Sequence, residues 1–90
     1  MSRVQREVQI RNQRGLHARA SAKFVTLASR LPAAVTVARD GTEVAGTSIM
    51  GLMMLGAAMG DYILISASGE DQEYALDQLC ALVDDKFGED

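Results

Sequence analysis

The stretch VQREVQIRNQRGLHARASAKFVTLASRLP, residues 4–32, decides how this chain folds, because its hydrophobic period changes once along the way. Val4, Val8 and Ile10 alternate with Gln5, Glu7 and Gln9, the period-two signature of a half-buried strand, and Arg6 interrupts the apolar face. Asn12-Gln13-Arg14-Gly15 supplies turn residues. From Ala20 the apolar positions become Ala20, Phe24, Leu27, Ala28 and Leu31, spaced as one face of a helix that Pro32 ends.

Downstream, Val35 and Val37 flank Thr36, and Arg39-Asp40-Gly41-Thr42 contains the Asp-Gly pair of a tight hairpin, so a short strand over 42–45 should pair back. Gly46-Thr47-Ser48 offers hydroxyl caps to a short apolar helix that begins at Ile49 and is closed by Gly56 and Gly60. The apolar run over 62–67 predicts a central strand buried on both faces. After Ser68-Gly69, Ala75, Leu79, Leu82 and Val83 mark a last helix, with acids crowding its first turn and Gly88 as its terminator. The resulting βαββαβα order predicts an α+β open-faced sandwich, a four-stranded antiparallel sheet covered on one face by three helices. That architecture serves many functions and cannot settle this one.

Ninety residues, 48% apolar and 23% charged, suit one ordinary globular domain over residues 1–90. Such a domain buries only about 60–65% of the surface of its unfolded chain, which leaves little room for a deep catalytic cleft. Residues 1–30 carry seven basic groups and one acid, whereas the other sixty carry two basic groups and eleven acids. The net charge of −3 therefore conceals a basic N-terminal third that favours anions or an acidic partner. The mild total and the scarcity of aromatics, two Phe, two Tyr and no Trp, argue against nucleic acid. One cysteine and one histidine make neither a disulfide nor a metal site, and no cofactor is implied. With no apolar segment of signal-peptide or membrane-spanning length, a cytoplasmic protein is expected.

The chemistry concentrates at Gly15-Leu16-His17-Ala18-Arg19-Ala20, which sets the sole histidine between the first strand and the first helix. A helix N-terminus presents N–H groups that lack internal partners, and with the helix dipole these attract phosphate. Arg19 adds a guanidinium able to grip phosphate oxygens. Imidazole, with an ordinary pKa of about 6.5, is substantially neutral near pH 7 and keeps one nitrogen free as a nucleophile able to hold a phosphoryl group. The plainer reading is a histidine that caps or packs a helix end, but the Gly-x-His-x-Arg placement favours chemistry.

GLHARASAKFV at 15–25 together with GTSIMGLMML at 46–55 resembles the HPr phosphocarriers of the phosphoenolpyruvate-dependent phosphotransferase system, over essentially the whole chain. The wording is nearer the nitrogen-related, NPr-like, alphaproteobacterial type. The resemblance implies that His17 accepts a phosphoryl group on Nδ1 from phosphorylated enzyme I and donates it to an EIIA-type protein. It implies that Arg19 neutralises the phosphate, and that the chain is a carrier rather than an independent enzyme, in sugar uptake or in nitrogen and carbon regulation. Most relatives have proline where this chain has Ala20, so a slightly looser first turn is expected. Ser48 aligns with the family's regulatory serine, a target of HPr kinase/phosphorylase in some bacteria, although its plain role is an N-cap. Ile49, Met50 and Met53 correspond to the docking face, with Leu52 and Leu55 facing inward; flexible methionines suit a surface that meets several partners. Arg14 and Lys23 are candidates for docking an acidic partner, Arg3 and Arg6 have no assigned task, and the acids at 84–90 read as a solvated tail. A monomer is expected.

Two other classes fit the pattern less well. An ACT-like βαββαβ small-ligand regulatory module gives no role to Gly15-x-His17-x-Arg19, and an acylphosphatase of this size would need a phosphate-loop motif that the chain lacks.

Overall fold

Alternation and turn chemistry act where the sequence places them. In a computed structural model that describes residues 2–89, the elements run β1 (Val4–Gln9), α1 (Ala18–Ser29), β2 (Ala34–Arg39), β3 (Thr42–Ala45), α2 (Ile49–Met54), β4 (Tyr62–Ser68) and α3 (Gln72–Asp84), followed by a 3-10 turn (Lys86–Gly88). The sheet order is β1-β4-β2-β3 and every pairing is antiparallel. Val8 faces Ile63 across β1 and β4, while Val37 faces Ile65 across β2 and β4. Asp40 and Gly41, at φ of 50° and 82°, form the hairpin turn, with Arg39 paired to Thr42.

Val8, Val35, Val37, Ile63, Ile65 and Ala67 point to the covered face of the sheet. Phe24 and Ala28 of α1, Leu52 of α2, and Leu79 and Val83 of α3 close over it. The helix α3 packs on β1 and β4, and α1 packs against both other helices. The fold is thus the open-faced α+β sandwich anticipated from the sequence.

Three expectations need correction. Strand β4 is central, but not because both its faces are buried: Tyr62 is exposed and Leu64 half-buried on the helix-free side, and the position comes from its pairing with β1 and β2. Gly88 does not end the last helix; α3 stops at Asp84, and Lys86 and Phe87 at φ of 58° and 56° break it, with Gly88 closing the 3-10 turn. Only Glu73 of the acids before α3 lies in its first turn, and Asp71 occupies the N-cap without a side-chain bond. Helix α1 begins at Ala18, directly after His17, although exposed Ala18 and Arg19 add nothing to its apolar face. Arg6 stays paired in β1 while its side chain donates to Asp77 of α3 at 2.9 Å, and Arg3 lies 3.6 Å from Glu43, so both arginines have partners within the fold.

Candidate functional site

Gly15 sets up the site. Its φ of +64° turns the chain, and a Cβ there would lie 2.4 Å from the Ala57 carbonyl oxygen, so the loop before α1 can lie against the loop after α2 only as glycine. The Leu16 N–H donates to the same Ala57 carbonyl at 3.0 Å. Arg39 then fixes that second loop, donating to the Leu55 carbonyl at 2.9 Å and to Asp61 at 3.0 Å, and Asp61 accepts from the Ala58 N–H at 2.9 Å. No local motif marks Arg39 for this task; it is a strand-end arginine whose partners lie 16 and 22 residues away.

His17 takes the N-cap position of α1 with extended backbone, φ −73° and ψ 179°, and its carbonyl accepts the first helical bond from Ser21 at 2.9 Å. Its side chain makes no capping bond. The ring instead places Nε2 2.6 Å from Glu89 Oε2, with the two side chains 20% and 17% exposed, sheltered yet within reach of a large partner. Asn12, wholly buried, donates through Nδ2 to the Gly15 carbonyl at 2.8 Å and to Glu89 Oε1 at 3.1 Å. Burial alone would raise the Glu89 carboxyl, but the hydrogen bonds from His17 and Asn12 and the charges of His17 and Lys23 outweigh it and hold the group below its ordinary value.

Glu89 and Asn12 are the residues that sequence reasoning missed. The acids at 84–90 read as a solvated tail, whereas Glu89 is folded back onto His17, and Asn12 read as a turn residue only. Lys23 is likewise not a simple docking cation, because its Nζ donates to the Phe87 carbonyl at 2.7 Å and holds the last turn against α1.

Arg19 projects from the exposed first turn of α1 and, among the described residues, forms no ion pair. It lines a shallow groove with Lys23, Leu27, Arg30 and Leu82, three cations bordering apolar side chains. Ser48 caps α2: its Oγ accepts from the Gly51 N–H at 2.9 Å. Leu52 and Leu55 face inward, while Ile49, Met50 and Met53 are 41%, 71% and 41% exposed, and Met54 extends the patch at 78%. Among the described residues no cluster of side chains could hold a metal ion, and no helix is long and apolar enough to cross a membrane.

The arrangement offers a sheltered imidazole at a helix N-terminus, an exposed arginine two residues further on and an exposed apolar surface on α2. Residues 4–85 match the family model described as the PTS HPr component phosphorylation site. The chain is 43% identical to the phosphocarrier protein NPr of Shewanella violacea, covering 99% of this chain and 98% of that one. It is 44% identical to the phosphocarrier protein HPr of Cupriavidus necator, covering 96% and 97%. Among solved structures, HPr from Thermoanaerobacter tengcongensis superposes with a TM-score of 0.90 at 41% identity, covering 100% of this chain and 99% of that one. With fold, motifs and relatives in agreement over nearly every residue, the chain belongs to the HPr family of phosphotransferase-system phosphocarriers, NPr-like members included.

Proposed function

We propose that His17 is the phosphoryl acceptor, charged at Nδ1 by phosphorylated enzyme I and discharged to a histidine of an EIIA-type protein. The observation that carries this reading is the use of the His17 side chain. It sits at a helix N-terminus yet leaves the capping bond unmade, and presents a sheltered ring whose Nε2 is committed to Glu89. Arg19, solvated and close in sequence, is assigned to neutralise the incoming phosphate. The chain lacks machinery to orient in-line transfer alone, so the partner supplies it, and the chain acts as a carrier rather than an independent enzyme.

Ile49, Met50 and Met53 on α2 are assigned to partner docking, supported by an exposed apolar patch on a face with no covering element. The cation-bordered groove of α1 complements an acidic partner surface. Phosphorylation of Ser48 by HPr kinase/phosphorylase would give up the capping geometry of a neutral hydroxyl and place about −1.5 to −2 charges beside that patch, weakening docking. The protein is assigned to the cytoplasm, as a single domain acting as a monomer, in sugar uptake or in nitrogen and carbon regulation. Incubation with enzyme I and phosphoenolpyruvate should produce an acid-labile, base-stable phosphoryl group, and His17→Ala should abolish it. Undiminished labelling of that variant would overturn the assignment.

A further inference from the structure

We propose that Glu89 is a positioning residue for phosphoryl transfer: its carboxylate holds the Nε2 proton of His17, reserves Nδ1 as the attacking nitrogen and faces the positive charge that the ring acquires. The inference rests on His17 being the phosphoryl acceptor. An ionised carboxylate can only accept, so at 2.6 Å the ring nitrogen opposite it is the donor. A neutral imidazole has a single N–H, and fixing it at Nε2 leaves the lone pair on Nδ1.

Three independent features aim this carboxylate. Asn12 Nδ2 holds the other oxygen, Oε1, at 3.1 Å, and the amide cannot be reversed because both of its contacts, Glu89 Oε1 and the Gly15 carbonyl, are acceptors. The buried Oδ1 of Asn12 meanwhile has no partner among the described residues, a cost the fold carries to keep the amide in this orientation. Before Glu89, Lys86 and Phe87 both adopt left-handed backbone that non-glycine residues rarely take, and the turn is pinned by the fully buried Phe87 ring and by Lys23 on the Phe87 carbonyl. A merely solvated segment requires none of these devices.

In the transfer step, the P–N bond of a protonated phosphohistidine on the donor breaks and its electron pair returns to the donor ring. The Nδ1 lone pair of His17 forms the new P–N bond. The Nε2 proton stays in place, so the positive charge leaves the donor ring and appears on His17, opposite the Glu89 carboxylate. No proton is released and no further reactant is needed. A buried carboxylate that orients an imidazole and stabilises its cation is an established way to make histidine chemistry efficient.

The test uses the full chain labelled with ¹⁵N-histidine, examined at a pH where the ring is neutral, together with single-turnover transfer from phosphorylated enzyme I. Wild type should show the proton on Nε2. In Glu89→Gln one amide oxygen must serve two donors; when it faces Asn12 its NH₂ faces the ring, driving the proton to Nδ1 and slowing transfer by about a hundredfold. Glu89→Ala should give mixed tautomers and a loss of about tenfold. If wild type is phosphorylated on His17 and both variants keep its transfer rate, or slow down with the ring protonation unchanged, the positioning role is wrong. If wild type itself acquires no phosphoryl group on His17, the acceptor assignment fails instead.

Discussion

Helices α1 and α2 begin in opposite ways. At the start of α2, Ser48 turns its hydroxyl inward, accepts the Gly51 N–H at 2.9 Å and closes the helix end on itself. At the start of α1, His17 holds the corresponding position and extended backbone but sends its ring outward to Glu89. One N-cap residue serves the stability of its own helix; the other leaves its helix end to whatever arrives from outside. Two helix starts of similar backbone thus use their N-cap side chains differently, one on its own helix and one on a distant segment, and each can be perturbed separately.

The largest effect should come from Gly15→Ala, which attacks the platform shared by the two loops. A Cβ 2.4 Å from the Ala57 oxygen, on a residue at φ +64°, should cost about 3 kcal/mol, read as a lower denaturant midpoint. A change below about 0.5 kcal/mol would show that the two loops are not held in register. Next, Arg19→Gln should reduce phosphoryl transfer about tenfold by removing a charge-assisted phosphate contact, with the denaturant midpoint unmoved because Arg19 is solvated. Ser48→Ala should do the converse, lowering stability by about 1 kcal/mol through the lost cap while His17 is still phosphorylated at the wild-type rate when partner concentration is saturating.

The smallest effect concerns pH. The Glu89 carboxyl is held below its ordinary value in the fold, so the stability its bonds contribute is complete above the ordinary carboxylate range and is lost as the pH falls through the lowered folded value. Acid titration followed at the Glu89 carboxyl carbon and the His17 ring should report that loss, while the Ser48 cap, which has nothing to titrate, keeps the Gly51 amide protected until the whole fold opens.

Local pattern carried most of the architecture. Period-two alternation placed β1, Asp40-Gly41 placed the hairpin, and the spacing of Phe24 and Ala28 placed α1, because each is decided by neighbours within a few positions. The His17 turn was legible for the same reason, with histidine, arginine and helix start adjacent in the chain. What sequence could not show is contact across long separations: Glu89 lies 72 positions from His17, Arg39 reaches a loop through side-chain geometry alone, and Lys23 bonds a carbonyl 64 positions away. Acids near a helix end read as solvated unless the chain turns back, and here the turn rests on two left-handed non-glycine residues that no propensity favours.

The role of His17 is probed most directly by phosphorylating the protein with enzyme I and phosphoenolpyruvate and mapping the phosphorus by long-range nuclear correlation to the labelled histidine ring at neutral pH. Phosphorus should be bonded to Nδ1 of His17, with the proton retained on Nε2 opposite Glu89. Phosphorus found on Nε2, or on another residue such as Ser48, would contradict it.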